Sequence, residues 1–151
     1  MVDFLKTFVE QFTQIERIDP EIFWLELTGD FEVLFDRSHL NQVMWNLCRN
    51  ALRHCQRKPE SIRIHVGTLR SDTVVKLDII DDGPGISPDV RARLFEPFFT
   101  NAAGGTGLGL YIAREVCEAN GASLDHVETP KGTQFTRSEE HTSELQSHVR
   151  I

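Results

Sequence analysis

The sequence predicts an α/β domain, in which helices pack on one sheet. Three observations predict it. Three stretches, residues 1–15, 38–57 and 108–119, carry apolar residues at helical spacing. Between and after them run short apolar or alternating segments bounded by turn residues, which read as strands. Two glycine-rich signals, Asp81-Asp82-Gly83-Pro84-Gly85-Ile86 and Gly104-Gly105-Thr106-Gly107-Leu108-Gly109, bracket one long connection with little periodicity of its own. A chain of 151 residues with 40% apolar content can bury one real core.

The first helix places Phe4, Leu5, Phe8, Val9, Phe12 and Ile15 on one stripe. The chain starts inside that pattern, so residues 1–18 are expected to be the end of a longer helix from a preceding domain. Asp19-Pro20 ends it. Ile22 to Leu27 and Phe31 to Phe35 then read as two strands around a Thr28-Gly29-Asp30 turn. Asp36 or Ser38 can cap the helix from Ser38 to Arg57, and Pro59 stops it.

Within that helix Met44, Leu47, Cys48, Ala51 and Cys55 form a buried stripe. Asn46, Asn50, Arg53 and Arg57 form a second, polar stripe. A solvated face is the ordinary reading of such a stripe. Asparagine is a mediocre helix former, however, so two of them one turn apart point to a working face.

Ser61 to Leu69 and Thr73 to Ile80 flank Arg70-Ser71-Asp72 as an antiparallel hairpin. Val75, Leu77 and Ile79 point one way, and Asp81 continues their phase. A carboxylate aimed at the apolar side is costly unless something satisfies it, which favours a ligand contact over a plain turn aspartate. Inside the long connection, Leu94-Phe95-Glu96-Pro97-Phe98-Phe99-Thr100 needs an apolar surface to dock on. Leu108 to Ala119 is the last helix, stopped by Asn120-Gly121. Ser123 to Glu128 and Thr133 to Thr136 close the sheet across a Pro130-Lys131-Gly132 turn.

Bulk properties exclude several functions. The formal charge is −7 without a basic run, so nucleic acid is not an expected partner. No apolar stretch has the length of a bilayer span, and no signal peptide opens the chain. Cys48, Cys55 and Cys117 share no metal-ligand spacing and read as reduced core residues, which fits a cytoplasmic location.

The ordered motifs resemble those of the catalytic, ATP-binding domain of sensor histidine kinases, within the GHKL ATPase superfamily. Asn46-Leu-Cys-Arg-Asn50-Ala is similar to the N box, Asp81-Asp-Gly83-Pro-Gly85 to the first glycine box, and Leu94 to Thr100 to the F box. Gly105-Thr-Gly107-Leu-Gly109-Leu is similar to the second glycine box, and Gly132-Thr133-Gln-Phe135 to the strand motif closing the adenine pocket. The wording of residues 109–120 resembles the branch of PilS and NtrB type.

The resemblance implies a two-layer α/β sandwich (the Bergerat fold): a mixed, mostly antiparallel sheet backed by helices, with an ATP lid. The catalytic domain would span 19–136. It implies ATP and Mg²⁺ as cofactors, with Asn50 as the magnesium ligand, Asn46 beside it, Arg53 facing the phosphates and His54 where an aromatic ring is common. Catalysis would rest on Asn46, Asn50 and Arg53. Asp81 would read the adenine amine, with Gly83, Gly85 and Ile86 beside the base. Gly105, Thr106, Gly107, Leu108, Gly109 and Leu110 would cradle phosphates, Thr133 would close the pocket, Thr100 would line it, and Phe95, Phe98 and Phe99 would anchor the lid.

ATP-hydrolysing GHKL proteins carry glutamate one turn before the magnesium asparagine, where this chain has Asn46. Kinase chemistry is therefore expected, with serine-directed anti-sigma-type transfer or nucleotide binding alone as alternatives. The expected partners are a dimerisation domain bearing the acceptor histidine, which this chain lacks, and a response regulator. The full-length protein is expected to be a homodimer, with inner-membrane anchoring as an alternative to a wholly cytoplasmic location. Residues 137–151 break the pattern and resemble the conceptual translation of a sequencing adapter. They are expected to be a non-native tail.

Overall fold

The computed structural model describes residues 1–30, 33–69, 74–100, 106–129 and 132–140. The elements are α1 (Val2–Glu16), β1 (Phe23–Leu27), α2 (Arg37–His54), β2 (Ile62–Leu69), β3 (Val74–Asp81), α3 (Pro88–Ala92), α4 (Gly109–Ala119), β4 (Ser123–Thr129) and β5 (Gly132–Glu140). The five strands form one sheet in the order β1-β2-β3-β5-β4. Among the described residues only β1 and β2 pair in parallel; the other pairs are antiparallel. The expected two-layer α/β sandwich with a mixed, mostly antiparallel sheet is what forms.

Strand periodicity decides which face is covered. Ile62, Ile64 and Val66 of β2, Val75, Leu77 and Ile79 of β3 and Leu124 of β4 are buried, and they meet α2 residues Val43, Met44, Leu47, Cys48 and Ala51 in one core. Burial in this apolar setting pushes the Cys48 thiol well above its ordinary range, so it is a packed, protonated side chain.

α1 belongs to this core. Leu5, Phe8 and Phe12 are buried, and the Phe12 ring lies 4.8 Å from Trp45 and 5.6 Å from Phe23, centroid to centroid. Arg17 in the left-handed region (φ 55°) ends the helix.

α2 starts as expected. The Asp36 carboxylate accepts from the backbone N–H groups of Ser38 (2.9 Å) and His39 (3.0 Å), two donors that the helix cannot satisfy itself. Its end comes earlier than expected, at His54 rather than Arg57. Gln56 N–H donates to the Asp82 carboxylate at 2.7 Å, and Arg57 adopts φ 56°, so the chain is pulled off the helix toward the end of β3. Arg57 therefore leaves the polar stripe.

Three further differences follow from packing. Residues 33–35 form no strand, while 31 and 32 lie outside the described residues. A short helix, α3, forms where only loop was expected; Ser87 caps it and Pro88 supplies its first position. β5 runs past Thr136 to Glu140 and keeps its register with β3, from Ile80↔Gln134 to Val74↔Glu140. Residues 137–140, assigned to the tail on their resemblance to a translated sequencing adapter, are thus paired strand. Backbone pairing needs no particular side chains, so the adapter-like wording of these residues does not prevent it. No helix among the described residues is long and apolar enough to cross a membrane.

Candidate nucleotide site

α2, the segment after β3 and the start of α4 enclose a cavity of about 510 Å³. The amphipathic geometry of α2 sets its floor. One stripe faces the sheet, and Asn46, Asn50, Arg53 and His54 face the cavity together with Arg49. Gly85, Ile86, Ser87 and Val90 form one wall, Leu94, Phe99 and Thr100 a second, and Thr106, Gly107, Gly109 and Leu110 a third.

The lining is electrostatically one-sided. The chain carries a net charge of −7, yet the described residues lining this cavity include two arginines and no carboxylate. α4 adds to the positive field, because it begins at the cavity without a side-chain cap on its first amides. An anion is the ligand such a site suits.

Two glycines mark where backbone segments touch. A Cβ on Gly83 would lie 2.5 Å from the carbonyl oxygen of His54, so the end of β3 abuts the end of α2. Gly107, at φ 72°, packs against the backbone of Phe98 and Phe99, which joins the second glycine signal to the phenylalanine segment. At the other end of the cavity, the Asn46 carboxamide oxygen lies 3.7 Å from the Cβ position of Gly109. Two segments separated in sequence by more than fifty residues thus meet across the floor.

The adjacent aspartates divide their work. Asp82 is structural: its carboxylate accepts from Gln56 N–H and, at 2.7 Å, from the Ser61 hydroxyl. Asp81 is only 3% exposed, in phase with the buried residues of β3, and accepts from the Gly83 N–H at 2.8 Å. It is not among the residues that line the cavity.

Of the residues singled out in the sequence, Asn46, Asn50, Arg53, His54, Gly85, Ile86, Thr100, Thr106, Gly107, Gly109 and Leu110 line the cavity. Asp81, Gly83, Phe95, Phe98 and Leu108 do not; Thr133 sits on β5 in register with Glu128, and Gly105 lies outside the described residues. Phe98 is no anchor for the connection: its backbone is at φ 64° and its side chain is 75% exposed. Phe95 instead lies under the Arg114 guanidinium at 4.2 Å, and Phe99 under that of Arg93 at 4.5 Å. Sequence reasoning missed Arg49, Ser87 and Val90. Ser87 and Val90 had a legible signal, the Ser-Pro start of a short helix.

Comparisons with known proteins give the family and the fold. Residues 35–139 match the family described as "Histidine kinase-, DNA gyrase B-, and HSP90-like ATPase". The chain is 38% identical over 133 residues to the sensor protein kinase PilS of Pseudomonas aeruginosa, covering 86% of this chain and 25% of that protein. It is 32% identical over 114 residues to the sensory histidine kinase/phosphatase NtrB of Vibrio alginolyticus, covering 70% of this chain and 33% of NtrB. Among solved structures, a mycobacterial sensor histidine kinase, MprB, superposes with a TM-score of 0.75 at 26% identity, covering 93% of each chain. The catalytic domain of the histidine kinase ThkA superposes with a TM-score of 0.72 at 28% identity, covering 93% of this chain and 94% of that one.

Proposed function

Because the chain belongs to the histidine kinase-, DNA gyrase B- and HSP90-like ATPase family, we propose that it is the ATP-binding catalytic part of a two-component sensor histidine kinase. The observation that carries the reading is the cavity lining, in which Asn46, Asn50 and Arg53 share one cavity with the start of α4 in an otherwise acidic chain. ATP is the substrate, and the γ-phosphoryl group goes to a histidine on a separate dimerisation domain, then to a response regulator. Residues 1–18 would continue the helix of that dimerisation domain, and the full-length protein would work as a homodimer.

The donor set fits a magnesium–triphosphate. Asn50 would supply a neutral carboxamide oxygen, which suits a hard cation that keeps waters and phosphate oxygens as its other ligands. Bound there, Mg²⁺ would neutralise charge on the phosphates. Arg53 offers a guanidinium fork for the same oxygens. The first-turn amides of α4, reached through Gly107 and Gly109, offer N–H donors. Asp81 would accept from the adenine amino group, whereas guanine presents an oxygen there and two acceptors would face each other. Asn46 has no basic oxygen with which to deprotonate water, so the site favours transfer over hydrolysis.

The test uses γ-labelled ATP with acid-labile phosphate detection, with and without a cognate dimerisation domain. Label should appear on that domain's histidine only when both parts are present. Acid-stable label on serine would assign the chain to anti-sigma-type kinases instead. Rapid phosphate release by this chain alone would make it an ATPase.

A further inference from the structure

We infer that Arg49 is a second phosphate-facing cation of this pocket, and that Glu16, the last residue of α1, competes with the nucleotide for it. The inference rests on the nucleotide reading of the cavity. Taking Asn46 as zero, helical geometry puts Trp45 at roughly −100°, Arg49 at roughly −60°, Arg53 at roughly −20° and Asn50 at roughly +40° around α2. Trp45 faces α1, where its ring meets Phe8 and Phe12. Asn46, Asn50 and Arg53 face the cavity. Arg49 lies on the boundary between these faces and touches both sides.

On the α1 side, Arg49 Nε donates to Glu16 Oε1 at 3.1 Å, and its guanidinium carbon lies 5.0 Å from the Trp45 ring centroid. On the other side the same residue lines the cavity. A guanidinium has five N–H donors, and this contact uses one. Arg49 is also one turn from Arg53, so the two cations stand in a row along one edge of the floor.

Position along α2 says which part of a nucleotide Arg49 meets. Gly83 and its neighbours sit against His54, at the C-terminal end of the helix, while Gly109 and the start of α4 sit against Asn46. Arg49 is one turn nearer than Arg53 to Asn46 and the uncapped helix start, where the terminal phosphate would lie. A terminal phosphate there would draw the guanidinium away from Glu16. Each contact weakens the other, so nucleotide binding and the seating of the end of α1 become linked.

The test is calorimetric titration of Mg-ATP and Mg-ADP into the 151-residue chain and its Arg49→Gln, Arg49→Lys, Glu16→Gln and double Arg49→Gln/Glu16→Gln variants, with melting temperatures alongside. Arg49→Gln should weaken ATP about tenfold, the loss of a charge-assisted hydrogen bond, and leave ADP within about twofold. Arg49→Lys should retain most of the ATP preference. Glu16→Gln should tighten ATP about two- to threefold, the worth of an exposed ion pair, and should have no effect once Arg49 is glutamine. An unchanged ATP/ADP ratio in Arg49→Gln, a parallel loss of both nucleotides with a lowered melting temperature, or a Glu16→Gln effect that persists in the double variant would overturn the inference while leaving nucleotide binding intact. Failure of the unsubstituted chain to bind either nucleotide would remove the reading beneath it as well.

Discussion

Gly83 and His54 are in backbone contact: a methyl group on the glycine would stand 2.5 Å from the histidine carbonyl oxygen and 2.8 Å from Asp81 Oδ1. This contact locks the end of β3 to the end of α2, and with it the proposed base end of the pocket to its polar floor. Gly83→Ala should therefore force the two elements apart. Thermal unfolding should show a loss of about 1–3 kcal/mol, as for other overpacked sites, together with weaker nucleotide binding. Unchanged stability would mean that the two ends separate without cost.

Asn50 lines the cavity, and on the proposed reading it would give an oxygen to magnesium. Asn50→Ala should weaken Mg-ATP binding by roughly 1–3 kcal/mol. Removing magnesium with EDTA should weaken binding to the unsubstituted chain but change little in the variant. An equal EDTA effect in both chains would place the metal elsewhere.

The Asp36 cap makes a pH-dependent contribution. The Ser38 hydroxyl, followed by the His39 amide, holds its carboxyl below the ordinary carboxylate value. A depressed folded-state pKa contributes stability that is complete above the unfolded-state value and lost as pH falls through the folded one. Asp36→Ala should thus lower the melting temperature near neutrality, and the difference should vanish in acid. A difference that stays constant across that range would show that the cap acts through something other than its charge.

Phe12 tests whether α1 is part of this domain. Its ring is fully buried between Phe8, Phe23 and Trp45. Phe12→Ala should cost about 3–5 kcal/mol in denaturant unfolding, with one cooperative transition. A loss below about 1 kcal/mol would mean that α1 docks only loosely.

The sequence by itself determined the elements with strong periodicity and many of the residues that line the cavity. Alternation in residues 62–81 carries the hairpin, and the asparagines at 46 and 50 carry the floor, because a motif needing particular side chains leaves them at readable spacing. What only the tertiary structure decided lies where distant segments meet. The end of α2 at His54 is set by Asp82, twenty-six residues beyond Gln56. The extension of β5 to Glu140 is set by a neighbouring strand rather than by its own composition. Phe98 reads as an apolar anchor, but its side chain is exposed in the fold. The double placement of Arg49, on the cavity and on Glu16, depends on how α1 crosses α2, and that crossing is fixed by the packing of Phe8 and Phe12 on Trp45.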